Sequence, residues 1–90
     1  MIQRFDVGPR MSELAVHNGV AYLAGQVAED ATQGVIGQTR QVLAEIDALL
    51  AKAGTDKTRI LRAQIFLADM GDFTGMNQAW DEWVAAGHTP

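Results

Sequence analysis

The spacing of apolar positions changes along the chain, and each change marks an element. From Ile2 to Val7 the residues alternate, with Ile2, Arg4 and Asp6 on one side and Gln3, Phe5 and Val7 on the other, which predicts a short strand. Gly8-Pro9 breaks it. The run SELAVHNGVAYLAGQV then sets two alternating stretches around Asn18-Gly19. Asn-Gly supplies the positive φ values that a type I′ turn needs, so a hairpin is predicted. Leu14 and Val16 share a face of its first strand. In the second, Val20, Tyr22 and Ala24 lie opposite Ala21, Leu23, Gly25 and Val27. A strand apolar on both faces calls for cover on both sides, by helices and by another subunit.

The period then lengthens. Val35, Thr39, Val42, Leu43, Ile46, Leu49, Leu50 and Ala53 fall at three- and four-residue steps, which predicts a helix ending at Gly54. Alternation returns in RILRAQIFLAD, with Leu61, Ala63, Ile65 and Leu67 opposite Arg62, Gln64 and Phe66, and predicts a fourth strand. Asp72 suits the N-cap of a last helix, whose stripe is Phe73, Met76, Trp80, Trp83 and Val84 and which closes at Gly87. The order β-β-β-α-β-α predicts an α+β domain with two helices on one face of a mainly antiparallel sheet. A further strand is expected after the second helix, and the chain reaches Pro90 where that strand is due.

Composition narrows the function classes. Ninety residues make one domain of modest core, for which oligomerisation is a natural source of stability. The absence of cysteine excludes disulfides, thiolate metal sites and a cysteine nucleophile. A net charge of −4 with scattered basic residues weighs against a nucleic-acid partner. No stretch is apolar enough to span a bilayer, and MIQRFDVGPR has no signal-peptide core, so a cytoplasmic protein without a membrane partner is expected.

Few residues carry chemistry on their own. His17 and His88 stand apart, and Ser12 has no evident His-Asp partner, so a metal site or a catalytic triad is not expected. Glu29-Asp30 and Asp81-Glu82 read as solvated faces, Trp80 and Trp83 as core or a subunit interface. GVIG lacks the Lys-Ser/Thr of a phosphate loop. Gly25 is more informative, because a glycine inside a two-faced strand marks a close approach to the backbone. Either a bulge or an aromatic neighbour packs there, or a small ligand lies against the main-chain N–H groups.

RMSELAVHNGVAYLAGQVAED, Ala24-Gly25-Gln26, the block FLADMGDFTGMNQAWDEW and the terminal GHTP resemble the RidA family, also known as YjgF/YER057c/UK114, in its YoaB-like branch. The likeness covers essentially the whole chain. It implies a chorismate-mutase-like α+β fold assembled as a homotrimer with clefts between subunits. It also implies hydrolysis of reactive 2-imino acids of the 2-aminoacrylate type to 2-keto acids and ammonia, without metal or organic cofactor. Residues 1–90 then form a single RidA-like domain lacking its C-terminal strands. In the family those strands carry a carboxylate-clamping arginine and a glutamate, for which this chain has no matching positions. The resemblance therefore implies that the 90-residue chain is inactive alone. Within the chain it points to Met11, Ala24, Gly25 and Asn77 as substrate-binding positions and assigns no catalytic residue. Met11 stands where deaminases of the family have an aromatic residue, and Ala24 where they have serine, which removes a hydroxyl. These two positions favour the alternative of a non-enzymatic module that binds a small carboxylate-bearing, keto-acid-like metabolite.

Overall fold

A computed structural model describes residues 1–90. Its sheet has three antiparallel strands in sequential order, β1 (Gln3–Val7), β2 (Ser12–His17) and β3 (Val20–Leu23). Asn18 and Gly19 have φ of 51° and 76°, the left-handed pair expected of the predicted turn. The register sets Phe5 opposite Leu14 and Leu14 opposite Leu23, so these three share a face. Leu14 is wholly buried there. On the other face Arg4, Ala15 and Tyr22 form a row, and Tyr22 is 61% exposed. Of the cover expected on both sides of the sheet, one chain supplies only one.

Helix α1 (Val35–Lys52) packs against β3 and buries Leu43, Leu49 and Leu50 from the predicted stripe. It ends in a Schellman motif: the Thr55 N–H donates to Leu50 O, the Gly54 N–H to Ala51 O, and Gly54 has φ of 77°. Helix α2 (Phe73–Trp83) packs on α1, burying Met76 and Ala79. The helices approach so closely that a Cβ on Gly75 would stand 2.6 Å from Val35 Cγ1.

Two expectations are corrected and a third holds only in part. Asp72 stands at the N-cap of α2 as expected, but its side chain makes no capping bond; Asp69 accepts from the Gly71 N–H at 2.8 Å and starts a 3-10 turn over Met70–Asp72 that leads into the helix. Helix α2 stops at Trp83 rather than at Gly87, because Val84 is extended. Gly87, with φ of 80°, sits in the turn that the His88 N–H closes onto Ala85 O. The predicted fourth strand pairs with nothing. Ile60 and Asp69 have extended dihedrals at its ends, yet no main-chain group from Ile60 to Ala68 is in a hydrogen bond. Its alternation is that of a strand, but a strand is completed by a neighbour's backbone, and none lies alongside.

Between this segment and the free edge of β3 lies an open slot of about 1690 Å³, floored by Val35, Val42 and Ile46 of α1. The slot explains the thin core. Only 6 of 90 residues are buried, while Leu61 and Phe66 are 86% and 84% exposed.

Candidate functional site

The candidate positions gather at the end of the hairpin away from its turn. The Ala24 N–H donates to Glu13 O at 2.9 Å, continuing the β2–β3 ladder one step past Leu23. Ala24 and Gly25 therefore emerge beside the start of β2, and Met11 immediately precedes that start. Ala24 and Gly25 line the slot, whereas Met11 lies outside it, about half exposed.

Gly25 faces open space. A Cβ built on it meets no atom within 4 Å, and its φ lies outside the left-handed region. Neither a bulge nor an aromatic neighbour occupies the approach, so the chain's own packing does not require a glycine here. From Gly25 to Glu29 the main-chain N–H groups make no hydrogen bond within the chain.

Beside this backbone the Gln26 amide donates to Glu13 Oε2 at 2.8 Å and to Ala24 O at 3.1 Å. A flat strand would set Asp6 directly across from Glu13, two like charges on one face. Asp6 instead has φ of 51°, a conformation aspartate tolerates, and its carboxylate accepts from Lys52 Nζ of α1 at 2.7 Å. Glu13 is left to Gln26. Sequence reasoning passed over Glu13 and met Gln26 only within the Ala24-Gly25-Gln26 motif of the resemblance, although strand alternation sets Glu13 on the face that carries Tyr22 and Ala24.

The loop that follows is held from two sides. The Asp30 N–H donates to Gln41 of α1 at 2.9 Å. The Asp30 carboxylate accepts from the Thr32 hydroxyl, the Thr32 N–H and Gln33, and these bonds, the Thr32 hydroxyl foremost, hold its pKa below the ordinary value. Asp30 is thus an Asx-turn acceptor rather than a free acid.

Asn77 does not join the cluster. It is half-buried on α2, and its side chain makes no hydrogen bond. The tryptophans lace the helices instead. Trp83 Nε1 donates to Asp47 of α1 at 2.9 Å, its ring lies 5.6 Å from that of Trp80, and Lys57 Nζ stands 5.1 Å from its centroid. Glu82, expected on a solvated face, pairs with Arg40 there, accepting from its Nε and Nη2. No group of three or more His, Asp or Glu side chains is placed to hold a metal ion, and no helix is long and apolar enough to cross a membrane.

Comparison with known proteins identifies this arrangement. The family model described as Endoribonuclease L-PSP matches residues 1–90. A RutC family protein of Haemophilus ducreyi is 57% identical over 90 residues, spanning 100% of this chain and 77% of the relative. The RutC family protein YoaB of Escherichia coli is 48% identical over 89 residues, covering 99% of this chain and 77% of its own. A crystal structure of a YjgF-family protein of Neisseria meningitidis superposes with a TM-score of 0.97 at 48% identity, covering 100% of this chain and 75% of that one. The chain thus spans about three quarters of the length of these relatives. The α+β, chorismate-mutase-like architecture is shared with these neighbours. The chain belongs to the Endoribonuclease L-PSP family, the RidA/YjgF group, in its YoaB-like branch.

Proposed function

We propose that the protein is a RidA-type enamine/imine deaminase acting on small 2-imino acids at clefts between the subunits of a homotrimer. The observation that carries this reading is the open backbone at Gly25, with unused N–H donors running on to Glu29 beside the Glu13–Gln26 pair. Main-chain donors in a row suit a substrate carboxylate or an oxygen that gains negative charge. Chemically the task is light. The enamine takes a proton at its terminal carbon to become the imine, and water adds to the imine carbon. The carbon–nitrogen bond then breaks as ammonia leaves, giving the 2-keto acid. The imine is already electrophilic, so holding the substrate, placing a water and moving protons are what a site must supply. In this reading Gly25 lets the substrate reach the main chain and Met11 covers it with an apolar side chain, while Asn77, on α2 and away from this cluster, makes no contact with the substrate.

A second reading rests on Ala24. With methyl in place of a hydroxyl, the same backbone can bind a keto acid without orienting a water. An RNA-cleaving reading has less support. Arg40 and Lys52 are spent on Glu82 and Asp6, and Lys57 lies over Trp83.

The deciding assay supplies imines freshly generated by an amino-acid oxidase or dehydratase and follows ammonia and keto-acid release. Release above the spontaneous rate supports the deaminase. Spectral shifts at Ala24 and Gly25 on adding 2-oxobutyrate, with no acceleration of release, support the binding module instead.

A further inference from the structure

Two side-chain acceptors beside the Gly25 backbone have no partner within the chain. The Gln26 amide nitrogen donates to both Glu13 Oε2 and Ala24 O, which fixes the orientation of the amide. Gln26 Oε1 and Glu13 Oε1 are left without a hydrogen bond. The Ala24 N–H donates to Glu13 O, so the main chain holds Glu13 across from Ala24 whatever its side chain does. Asp6, which a flat β1 would set across from Glu13, is turned to Lys52. The Glu13 carboxylate therefore has no like charge opposite it. The unused N–H donors begin at the residue after Ala24 and run from Gly25 to Glu29.

We infer that Glu13 sets the ligand class of this site: small acids with an N–H donor on C2, imino or amino acids, are taken in preference to 2-oxo acids of the same skeleton. This specificity rests on the reading of the Gly25 backbone as a ligand surface and sharpens it. The row of main-chain donors takes the carboxylate. The free oxygens of Glu13 and Gln26 accept from the nitrogen on C2, most strongly when that nitrogen is protonated. A 2-oxo acid has no donor at that place. Its carbonyl oxygen would be set against a carboxylate, two acceptors with no proton between them. The same contrast favours discharge of the 2-oxo acid once ammonia has left. Gln26 is a positioning residue, because it acts by holding Glu13.

The test uses three stable acids that differ only at C2: 2-aminobutyrate, 2-hydroxybutyrate and 2-oxobutyrate. Each is titrated against the protein, and binding is read from NMR shifts of the Ala24 and Gly25 amides. Affinity should fall in that order, by about tenfold or more from first to last. Glu13→Gln removes the charge at nearly constant size and keeps the main-chain bond to Ala24. It should bring the amino-to-oxo ratio within about threefold. Asp81→Asn, at an exposed position on α2, makes the same change in net charge and should leave the ratio as in the parent. In the parent protein the Glu13 carboxyl carbon should shift with 2-aminobutyrate and not with 2-oxobutyrate, a readout that does not depend on a variant folding. Equal binding of the three acids, tighter binding of 2-oxobutyrate, or an equal loss of preference in Asp81→Asn would overturn the specificity and leave the ligand surface standing. No shift at Ala24 or Gly25 with any of the three would overturn both.

Discussion

At the scale of single residues, Gly25 and Gly54 make a controlled pair. Gly54 has a left-handed φ that closes the Schellman motif of α1, so a side chain there is strained wherever it points. Gly54→Ala should destabilise the fold by about 1–2 kcal/mol and lower Tm by several degrees in a thermal melt. Gly25→Ala should change stability by less than about 0.5 kcal/mol, since its Cβ meets nothing. If the proposed site is real, the same substitution lowers imine turnover, or keto-acid affinity, at least tenfold. A loss of stability equal to that of Gly54→Ala would remove the argument for an open ligand surface.

Asp56 gives a second residue-scale prediction. The Thr58 hydroxyl and then the Thr58 N–H bond its carboxylate and hold its pKa below the ordinary value. Because the folded pKa is the lower one, the contribution of this turn is full above the unfolded carboxyl value. It fades as pH falls through the depressed one. An NMR titration should find Asp56 titrating below a free aspartate, and Thr58→Ala should return it toward the ordinary range. An unshifted Asp56 in the parent protein would mean that the turn does not form in solution.

Among elements, the contrast lies between Ile60–Ala68 and β2. Leu14 is the one large side chain that is wholly buried, and it sits in the middle strand between Phe5 of β1 and Leu23 of β3. Leu14→Ala should cost about 2–5 kcal/mol and unfold much of the population at 37 °C, read by urea titration. Amides from Ile60 to Ala68 should exchange at near-random-coil rates while those of β2 are protected, since only the latter are hydrogen-bonded.

The same contrast shows what could be read from the sequence. The hairpin, α1 and α2 follow from local rules, Asn18-Gly19 for the turn and three- and four-residue steps for the helices, and these are borne out, except that β3 ends at Leu23, short of Gly25 and Val27, and Val84 falls beyond α2. The fourth strand was legible as a pattern but not as a paired element, because pairing depends on a second backbone that periodicity does not report. The capping bond fell to Asp69 rather than Asp72 for a similar reason. Asp72 holds the N-cap position of α2, but only the geometry of the preceding 3-10 turn decides which aspartate accepts an N–H. At the candidate site Gly25 announced itself as a glycine in a strand pattern. Gln26 and Glu13 did not, since a polar pair on one face looks like an ordinary solvated face until the ladder aligns it.

For the whole molecule, the balance between buried and exposed apolar surface sets the last prediction. A slab of 42 × 35 × 18 Å with 6 buried residues has little interior. Meanwhile Val20, Tyr22 and Val27 lie exposed along and beyond β3. Apolar surface removed from water contributes about 25 cal/mol per Å², so covering such a face stabilises more than any single contact within the chain. The proposed trimer would supply that cover and would bring a second subunit against the Met11–Gly25 end of the hairpin. Sedimentation or light scattering at tens of micromolar should therefore give a mass about three times 9.7 kDa. Tyr22→Glu, on the open face and away from the core, should shift the mass to that of a monomer and lower the melting temperature. If the parent chain stays monomeric while its melt remains cooperative, the intersubunit cleft fails as the location of the chemistry. The backbone at Gly25 would then have to act from a single subunit.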